Sequence, residues 1–245
     1  MTVRLCHLYP AEMNIYADRG NIAVFRKRLE WRGLDLRVTE IGLGEPLDPS
    51  EHDLYYLGGG QDRDQRIVAH DLVATKADAL RSAANDGAAF LWVCGGIQLA
   101  GVGYTDASGA RLPGVGILDL DTVAGDRRLI GDLVITAELD GQRERVVGYE
   151  NHVGRTLLGP GARPLGKVRK GHGNDGDSGA EGAVQQRVVG TYLHGPLLPK
   201  NPWFADTLLR WALDHAGEPT ALETLDDSLE GIAHRVAVTR AGLER

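Results

Sequence analysis

The chain has 245 residues, of which 42% are hydrophobic and 25% charged, and its 27 Lys and Arg against 34 Asp and Glu give a formal net charge of −7. This composition is typical of a globular protein with one or two domains, and the acidic balance argues against a surface that binds nucleic acid or anionic membranes, since such a surface needs clustered positive charge. The two cysteines, Cys6 and Cys94, exclude a disulfide framework and argue against a four-ligand zinc site, so we expect no metal ion.

The sequence shows no segment expected to direct the chain to a membrane. No apolar run approaches the roughly 18 residues that a membrane-spanning helix needs. The first ten residues, MTVRLCHLYP, lack the apolar region of a signal peptide. We therefore expect a cytoplasmic protein with reduced thiols and no membrane span.

The first half of the chain alternates strand and helix patterns. Strands are predicted at 3–9, 34–41, 53–57 and 88–93, and helices at 19–31 and 64–85. Asp18 is the predicted N-cap of the first helix, and Gly33 is its predicted end. Apolar strands separated by helices indicate a mostly parallel central sheet flanked by helices.

The second half is predicted to form strands joined by short loops. These strands are expected at 114–123, 132–138, 145–150 and 186–192. Because few helix patterns intervene, we expect an additional mixed or antiparallel portion. The glycine-rich stretch 171–182 (GHGNDGDSGAEG) is typical of a mobile surface loop.

Two helices are predicted near the C-terminus, at 201–215 and 221–243. The second helix carries an apolar stripe formed by Leu222, Leu225, Leu229, Ile232 and Val236. This stripe predicts that the helix packs on the rest of the chain. We therefore assign 1–215 to one α/β domain and 216–245 to a C-terminal helical extension packed on the same domain.

Cys94 is the candidate nucleophile. It lies where the strand 88–93 ends and Gly95-Gly96 begins, ahead of a short helix. Such a strand-to-helix turn presents a side chain at the carboxyl edge of the sheet, where open α/β sheets bind ligands, and a helix N-terminus favours a thiolate. Trp92 stands where a nucleophile elbow usually has glycine. The alternative interpretation is a buried structural cysteine, which is our interpretation of Cys6.

A thiolate nucleophile usually works with an imidazole that takes and gives protons. His194 follows a predicted strand and precedes Gly195-Pro196, which places it at a strand end, and His152 is the second choice. The alternative interpretation, a structural histidine held by hydrogen bonds, is the more common one for a lone histidine.

Backbone N–H groups near Cys94 would stabilise an oxyanion. Gly59 and Gly60 belong to the glycine turn 58–60 at the end of the third strand, and their N–H groups with that of Gly95 are the candidate donors. The turn is not a phosphate-binding loop, because Gln61-Asp62-Arg63 follows it without Gly-Lys-Ser/Thr. We therefore expect no ATP site in this chain.

Five motifs together carry a resemblance to a known family. The motifs are LGGGQDRDQ, WVCGGIQLAG, GILDLDT, GYENHVGRT and GTYLHGPLLPKNP. In this order they resemble class I glutamine amidotransferases of the cobyric acid synthase (CobB/CobQ) type, and within that class the stand-alone glutaminase subunits of lipid II isoglutaminyl synthases. The resemblance extends from about Val3 to Asp214.

The resemblance implies a flavodoxin-like fold and hydrolysis of L-glutamine to glutamate and ammonia. It also implies a Mur-ligase-like (MurT-like) synthetase partner, which would hold the ATP and Mg²⁺ and amidate the α-carboxyl of D-glutamate in the peptidoglycan stem of lipid II. This chain itself would need no cofactor and would meet lipid II only through its partner.

The same resemblance implies roles for individual residues. Cys94 would form the thioester, His194 would act as general base and acid, and Arg128 would bind the substrate. A guanidinium can hold the α-carboxylate of glutamine with two hydrogen bonds, although without the resemblance Arg127 and Arg128 read as two surface arginines. Position alone, near the active edge of the sheet, suggests that Asn151, His152 and the loop after Arg128 are accessory and line the ammonia exit or the partner surface.

The sequence departs from the broader class after the histidine. Many class I amidotransferases have Glu two residues after this histidine, and Pro196 stands there in this chain. Either Cys94 and His194 act as a dyad, or a third group such as Glu150 or Asp18 comes from elsewhere. We therefore expect low glutaminase activity in the absence of a partner.

Three other functions remain open from the sequence. The chain could serve another acceptor, such as a corrinoid carboxylate, or act as a cysteine-peptidase-like hydrolase. It could also be a non-catalytic flavodoxin-like scaffold subunit, in which Cys94 is buried and unreactive.

Overall fold

The computed structural model describes residues 1–15 and 19–243. Its helices are α1 (Arg19–Glu30), α2 (Asp62–Thr75), α3 (Ala77–Asp86), α4 (Gly95–Ala100), α5 (Pro202–His215) and α6 (Ser228–Arg240). Its first strands are β1 (Thr2–Leu8), β2 (Asp35–Ile41), β3 (Leu54–Leu57), β4 (Ala89–Val93), β5 (Gly103–Thr105) and β6 (Arg111–Pro113). The remaining strands are β7 (Leu120–Leu139), β8 (Gln142–Leu158), β9 (Gly166–Lys170), β10 (Ala180–Glu181), β11 (Ala183–Gln185) and β12 (Val188–Thr191). The predicted cap Asp18 lies outside the described residues.

The central sheet has the strand order β11-β12-β4-β3-β1-β2, in which β11 alone runs antiparallel to its neighbour. Helices α1 and α5 cover one face of this sheet, and α2, α3 and α4 cover the other. On β4, for example, Leu91 points to the first face and Phe90 and Trp92 to the second. The inner strands β3, β4 and β12 are buried on both faces, which explains their mostly apolar sequences. The predicted mostly parallel sheet flanked by helices is confirmed.

A second, mostly antiparallel sheet has the order β10-β9-β7-β5-β6, and β8 pairs with β7. The long strands β7 and β8 each join segments that we predicted as separate, shorter strands or loops. A bulge interrupts their pairing, because residues 125–128 of β7 lie opposite Val153 alone. The predicted mixed or antiparallel portion is confirmed, and its irregularity sits beside the candidate site.

The predicted single helix at 64–85 is wrong, because Lys76 divides it into α2 and α3. Lys76 has φ −130° and buries its ammonium group, which donates to Asp71 Oδ2 over 2.6 Å and lies 4.8 Å from the centre of the Tyr9 ring. A buried amine needs such partners. The helix is interrupted because the backbone at residue 76 turns this side chain into the protein.

The predicted helix at 221–243 begins only at Ser228, and its expected packing face is wrong. Leu229, Ile232 and Val236 are 75%, 50% and 62% exposed. The helix instead packs through Val238 and Ala241 against Val134 and Val147 of the second sheet. Val238 follows Leu229 by about two and a half helical turns, which places it on the opposite side of the helix.

The predicted surface loop at 171–182 is fixed to the body of the protein by buried groups. Asn174 is buried, and its side chain bonds both the N–H and the C=O of Gly182. Glu150 accepts hydrogen bonds from the N–H groups of His172 and Gly173. Composition predicted a loop, but these buried partners were not visible in it. In the described part of the chain, no helix is long and apolar enough to cross a membrane.

Candidate active site

Cys94 lies at the turn between β4 and α4, with a backbone φ of +55°. Few residues other than glycine adopt this conformation, and it is typical of strained functional turns. The Cys94 N–H donates to Thr191 O over 2.8 Å, which ties the turn to the neighbouring strand β12. Gly96 allows α4 to pack closely, since a Cβ there would lie 2.8 Å from Leu57 O. The structure thus supplies a physical reason for the Cys-Gly-Gly sequence.

A cavity of about 570 Å³ opens over this turn at the carboxyl edge of the central sheet. Six of the predicted site residues line it: Gly60, Cys94, Gly95, Arg128, Asn151 and His152. Gly59 lies just behind the wall, where a Cβ would come within 3.1 Å of Cys94 Cβ. Cys6, by contrast, is fully buried within β1, and burial raises the pKa of its thiol. The geometry therefore distinguishes Cys94, which lines the cavity, from Cys6, which does not. The role of Cys94 as nucleophile stays a prediction.

His194 follows β12, the strand that pairs with β4, and it lines a second cavity rather than the one that contains Cys94. Thr191, the last residue of β12, is paired with Val93, the last residue of the parallel strand β4. The two strands therefore end at the same edge of the sheet, where Cys94 follows Val93 directly and His194 comes three residues after Thr191. The His194 N–H donates to Tyr149 O, and its C=O accepts from the Tyr149 N–H. The imidazole is fully buried, and its burial, followed by the nearby charge of His152, lowers its pKa to about 4. A neutral imidazole at physiological pH can accept a proton, as a general base must.

Arg128 reaches the cavity from the bulge in β7. Its Nη1 donates to Asn151 Oδ1 over 3.1 Å, and the rest of the side chain is exposed toward the cavity. A bulge commonly redirects a side chain toward a site. The guanidinium is therefore placed to meet a carboxylate that enters the cavity.

His152 is held on three sides. Its Nδ1 lies 2.9 Å from Gly154 O, and because a carbonyl only accepts, this nitrogen carries a proton. Its ring stacks on Tyr192 with centroids 3.6 Å apart. Its Nε2 lies 3.7 Å from Glu150 Oε2. Glu150 is thus behind the cavity wall and next to His152. The other suggested third group, Asp18, lies outside the described residues.

Sequence reasoning missed two features of the site. Gln98 lines the cavity, accepts from Gln65 and donates to the Tyr192 hydroxyl over 3.3 Å. Its place one helical turn after Cys94 was a usable signal. Glu181, a buried carboxylate that bonds Thr191 and Tyr192, gave no such signal because it follows a glycine-rich loop. Across residues 1–15 and 19–243, no group of three or more His, Cys, Asp or Glu side chains is arranged to hold a metal ion.

Comparison with protein families gives a match over residues 4–202 to the CobB/CobQ-like glutamine amidotransferase domain. The chain is 38% identical over 239 residues to lipid II isoglutaminyl synthase (glutamine-hydrolyzing) subunit GatD of Staphylococcus aureus (strain N315), covering 98% of this chain and 96% of that protein. It is also 38% identical to the subunit of the same name from Streptococcus pneumoniae, over 93% of this chain and 87% of that protein.

Other similarities are more distant. A probable cobyric acid synthase of Methanothermobacter thermautotrophicus is 36% identical over 176 residues, which cover 66% of this chain and 33% of that protein. Among solved structures, PurLQS from Thermotoga maritima has a TM-score of 0.60 at 15% identity, covering 88% of this chain and 100% of that chain. The glutaminase domain of Trypanosoma brucei CTPS has a TM-score of 0.55 at 12% identity, covering 90% and 96%. These two structures support the fold.

Proposed function

This chain belongs to the CobB/CobQ-like glutamine amidotransferase family, and from this membership we propose that it is the glutamine-hydrolysing subunit of a lipid II isoglutaminyl synthase. The observation that carries the proposal is the position of Cys94, at a strained strand-to-helix turn in the floor of a cavity that Arg128 also lines. Its likeness to subunits of that name over nearly the full length of both chains supports the choice of enzyme.

The proposed reaction begins when glutamine enters the cavity and Arg128 binds its α-carboxylate. His194 takes the thiol proton, and the Cys94 thiolate attacks the side-chain amide carbon. The N–H groups of Gly95 and of Gly59 or Gly60 stabilise the oxyanion, at on the order of 3 kcal/mol for each donor. His194 then gives its proton to the nitrogen as the C–N bond breaks, which releases ammonia and leaves a thioester.

Hydrolysis of the thioester uses the same groups in reverse order. His194 takes a proton from water as the water oxygen attacks the thioester carbon. The C–S bond breaks, His194 returns its proton to the Cys94 sulfur, and glutamate leaves, which restores the thiol and the neutral imidazole. The imidazole is neutral before it takes a proton from the thiol and again before it takes a proton from water, which agrees with the lowered pKa of about 4 for His194 in the empty site.

The ammonia would pass to a partner subunit. We propose a Mur-ligase-like synthetase that binds ATP and Mg²⁺ and amidates the D-glutamate α-carboxyl of lipid II. The relatives in Staphylococcus aureus and Streptococcus pneumoniae are named as subunits, which supports a partner in general. Use of ATP for the amidation favours the cytoplasm as the place of action.

A second candidate is an amidotransferase subunit that serves another acceptor, such as a corrinoid carboxylate. The 36% identity to a probable cobyric acid synthase favours it. However, the matching region covers only 33% of that protein, whereas it covers 96% of the Staphylococcus aureus subunit. We therefore prefer lipid II as the acceptor.

The test is release of ammonia and glutamate from L-glutamine by the full chain, alone and with a Mur-ligase-like subunit, ATP, Mg²⁺ and lipid II. We expect release that Cys94→Ala abolishes, that the matched variant Cys6→Ala retains, and that increases with the partner. No release under any of these conditions, together with a Cys94 that does not react with a glutamine-analogue alkylator, would indicate a scaffold subunit. Release with the synthetase but no amidated lipid II would favour another acceptor.

A further inference from the structure

Two buried carboxylates contact the segments that carry His152 and His194. Glu150 and Glu181 are both fully buried. Glu150 Oε1 and Oε2 accept from the N–H groups of His172 and Gly173, which anchors the start of the loop at 171–182. Glu181 stands near the end of that loop, where its backbone pairs with Gly166 of β9. The loop is therefore fixed at both ends, and the position of Glu181 is fixed with it.

One oxygen of Glu181 holds the turn that leads to His194. Glu181 Oε1 accepts from the Tyr192 N–H over 2.7 Å and from Thr191 Oγ1 over 2.9 Å. Thr191 Oγ1 in turn accepts from the Leu193 N–H over 3.0 Å. The backbone of 191–193 is thus bound from one side by a single buried carboxylate.

The same turn also holds the nucleophile. The C=O of Thr191 accepts the Cys94 N–H over 2.8 Å, and His194 follows directly after Leu193. A shift of this turn would therefore move the imidazole and loosen the Cys94 backbone together. Both candidate reactive residues depend on contacts that Glu181 fixes.

Burial of this carboxylate is costly. Desolvation raises the pKa of Glu181 to about 7, the hydrogen bonds from Tyr192 and Thr191 oppose this rise, and the charge of Glu150 adds to it.

On the basis of the proposed function, we propose that Glu181 is a positioning residue for glutamine hydrolysis, whose Oε1 fixes the Thr191–Leu193 turn and thereby sets His194 relative to Cys94. Pro196 stands where many class I amidotransferases carry a glutamate after the histidine. Glu181 acts on the backbone before His194 and thereby replaces part of what that glutamate would do.

The test compares Glu181→Leu, which removes the acceptor, with Glu181→Gln, which keeps an oxygen there. We expect Glu181→Leu to lower kcat for L-glutamine at least about tenfold with KM changed by less than about twofold, because the reacting groups move while the substrate contacts remain. Glu181→Gln should recover most of that kcat. An unchanged kcat in folded Glu181→Leu would overturn the proposal.

The matched control is Asp53→Asn. Asp53 is also a fully buried carboxylate, and it accepts from Arg4 and His215 at the opposite, amino edge of the sheet. This variant should lower the melting temperature and leave kcat unchanged. If kcat falls in both variants in proportion to the melting temperature, the effect of Glu181 is general destabilisation and the proposal fails. If Glu181→Leu does not fold, Thr191→Val removes one donor, and wild-type kcat in that variant would overturn the proposal.

A second readout does not depend on glutamine hydrolysis. The measurement is the rate at which a small haloacetamide alkylates Cys94, followed by peptide mass spectrometry from pH 5 to 9. This rate reports the fraction of Cys94 present as thiolate, which depends on the position of His194. We expect the pH midpoint to rise in Glu181→Leu and to stay unchanged in Asp53→Asn. If the wild-type chain hydrolyses no glutamine, the proposed function fails, and the pH profile of Cys94 alkylation alone tests whether Glu181 positions Cys94 and His194. An alkylation midpoint in Glu181→Leu identical to that of the wild type would then overturn the positioning proposal.

Discussion

Arg128 donates from Nη1 to Asn151 Oδ1 over 3.1 Å, across the bulge that separates β7 from β8. At the bulge, four residues of β7, 125–128, lie opposite the single residue Val153 of β8. Arg128 is the last of these four residues. The extra length carries the guanidinium over the cavity that contains Cys94. One irregularity in strand pairing thus separates Arg128 from its neighbour Arg127, which does not line that cavity.

Replacement of Arg128 should weaken glutamine binding. We expect Arg128→Ala to lower kcat/KM by about 30- to 150-fold, mainly through KM, because a charge-assisted contact to the α-carboxylate contributes about 2–3 kcal/mol. Steady-state glutaminase kinetics measure this. Arg127→Ala is the matched control and should change kcat/KM by less than about twofold. Equal losses in both variants would point to a general effect of surface charge, and no loss in Arg128→Ala would favour a hydrolase that binds no free α-carboxylate.

A methyl group at Gly60 should disturb the proposed oxyanion donors. A Cβ there would lie 2.4 Å from Met13 Sδ and 3.2 Å from the Glu12 carbonyl oxygen, and Met13 is fully buried, so the turn at 58–60 must shift. We expect Gly60→Ala to lower kcat by on the order of tenfold or more, since one oxyanion donor is displaced. Gly42→Ala is the control, because its nearest neighbour is the Glu45 side chain at 3.6 Å. Normal kcat in folded Gly60→Ala would place the oxyanion donors elsewhere.

The buried His194 predicts a loss of stability in acid. Its folded pKa is lowered from 6.5 to about 4, so between these pH values the unfolded chain binds a proton that the folded chain does not. The stabilisation is therefore complete above about pH 6.5 and is lost as the pH falls toward 4, by on the order of 3 kcal/mol. Urea unfolding from pH 4 to 7.5 should show a smaller pH dependence in His194→Gln.

The exposed His70 on α2 provides the comparison for this measurement, since His70→Gln makes the same substitution at the protein surface. His7, whose pKa burial also lowers to about 4, is present in both variants and contributes equally to them. If His194→Gln and the wild type lose stability in parallel, His194 is not held neutral in the folded state.

The two sides of α6 should respond differently to substitution. Leu229→Gln and Val236→Gln, both on the solvent side, should change the free energy of unfolding by less than about 0.5 kcal/mol. Val238→Ala, which removes buried methyl groups packed on Val134 and Val147, should cost about 1–2 kcal/mol. Chemical denaturation of the three variants measures both effects. A large loss in Leu229→Gln would mean that the apolar stripe packs as the sequence suggested.

Part of the site could be predicted because it follows from local sequence. The apolar strand before Cys94 and the two glycines after it fix the strand-to-helix turn, and the glycine turn at 58–60 lies at the same edge by the geometry of parallel strands. His194 was found in the same way, from a strand and the glycine that follows it. Their chemical roles remain predictions.

Other parts could not be predicted because they depend on residues far apart in the chain. Lys76 interrupts a sequence with a continuous helical pattern because Asp71 and Tyr9 receive its ammonium group inside the protein. Glu181 is important only because the turn at 191–193 lies beside it, and its own neighbourhood, rich in glycine and polar residues, predicted a loop.

By itself, the sequence determined the α/β class, the mostly parallel sheet and the edge at which Cys94 and His194 lie, because hydrophobic periodicity and turn residues act over a few neighbouring positions. The resemblance singled out Arg128, but only the tertiary structure shows how a bulge brings it to the cavity and that the apolar residues Leu229, Ile232 and Val236 of α6 face solvent. The tertiary structure also placed a buried carboxylate, Glu181, behind the histidine. These outcomes depend on strand register, bulges and burial, which arise from contacts between distant segments and leave no local pattern in the chain.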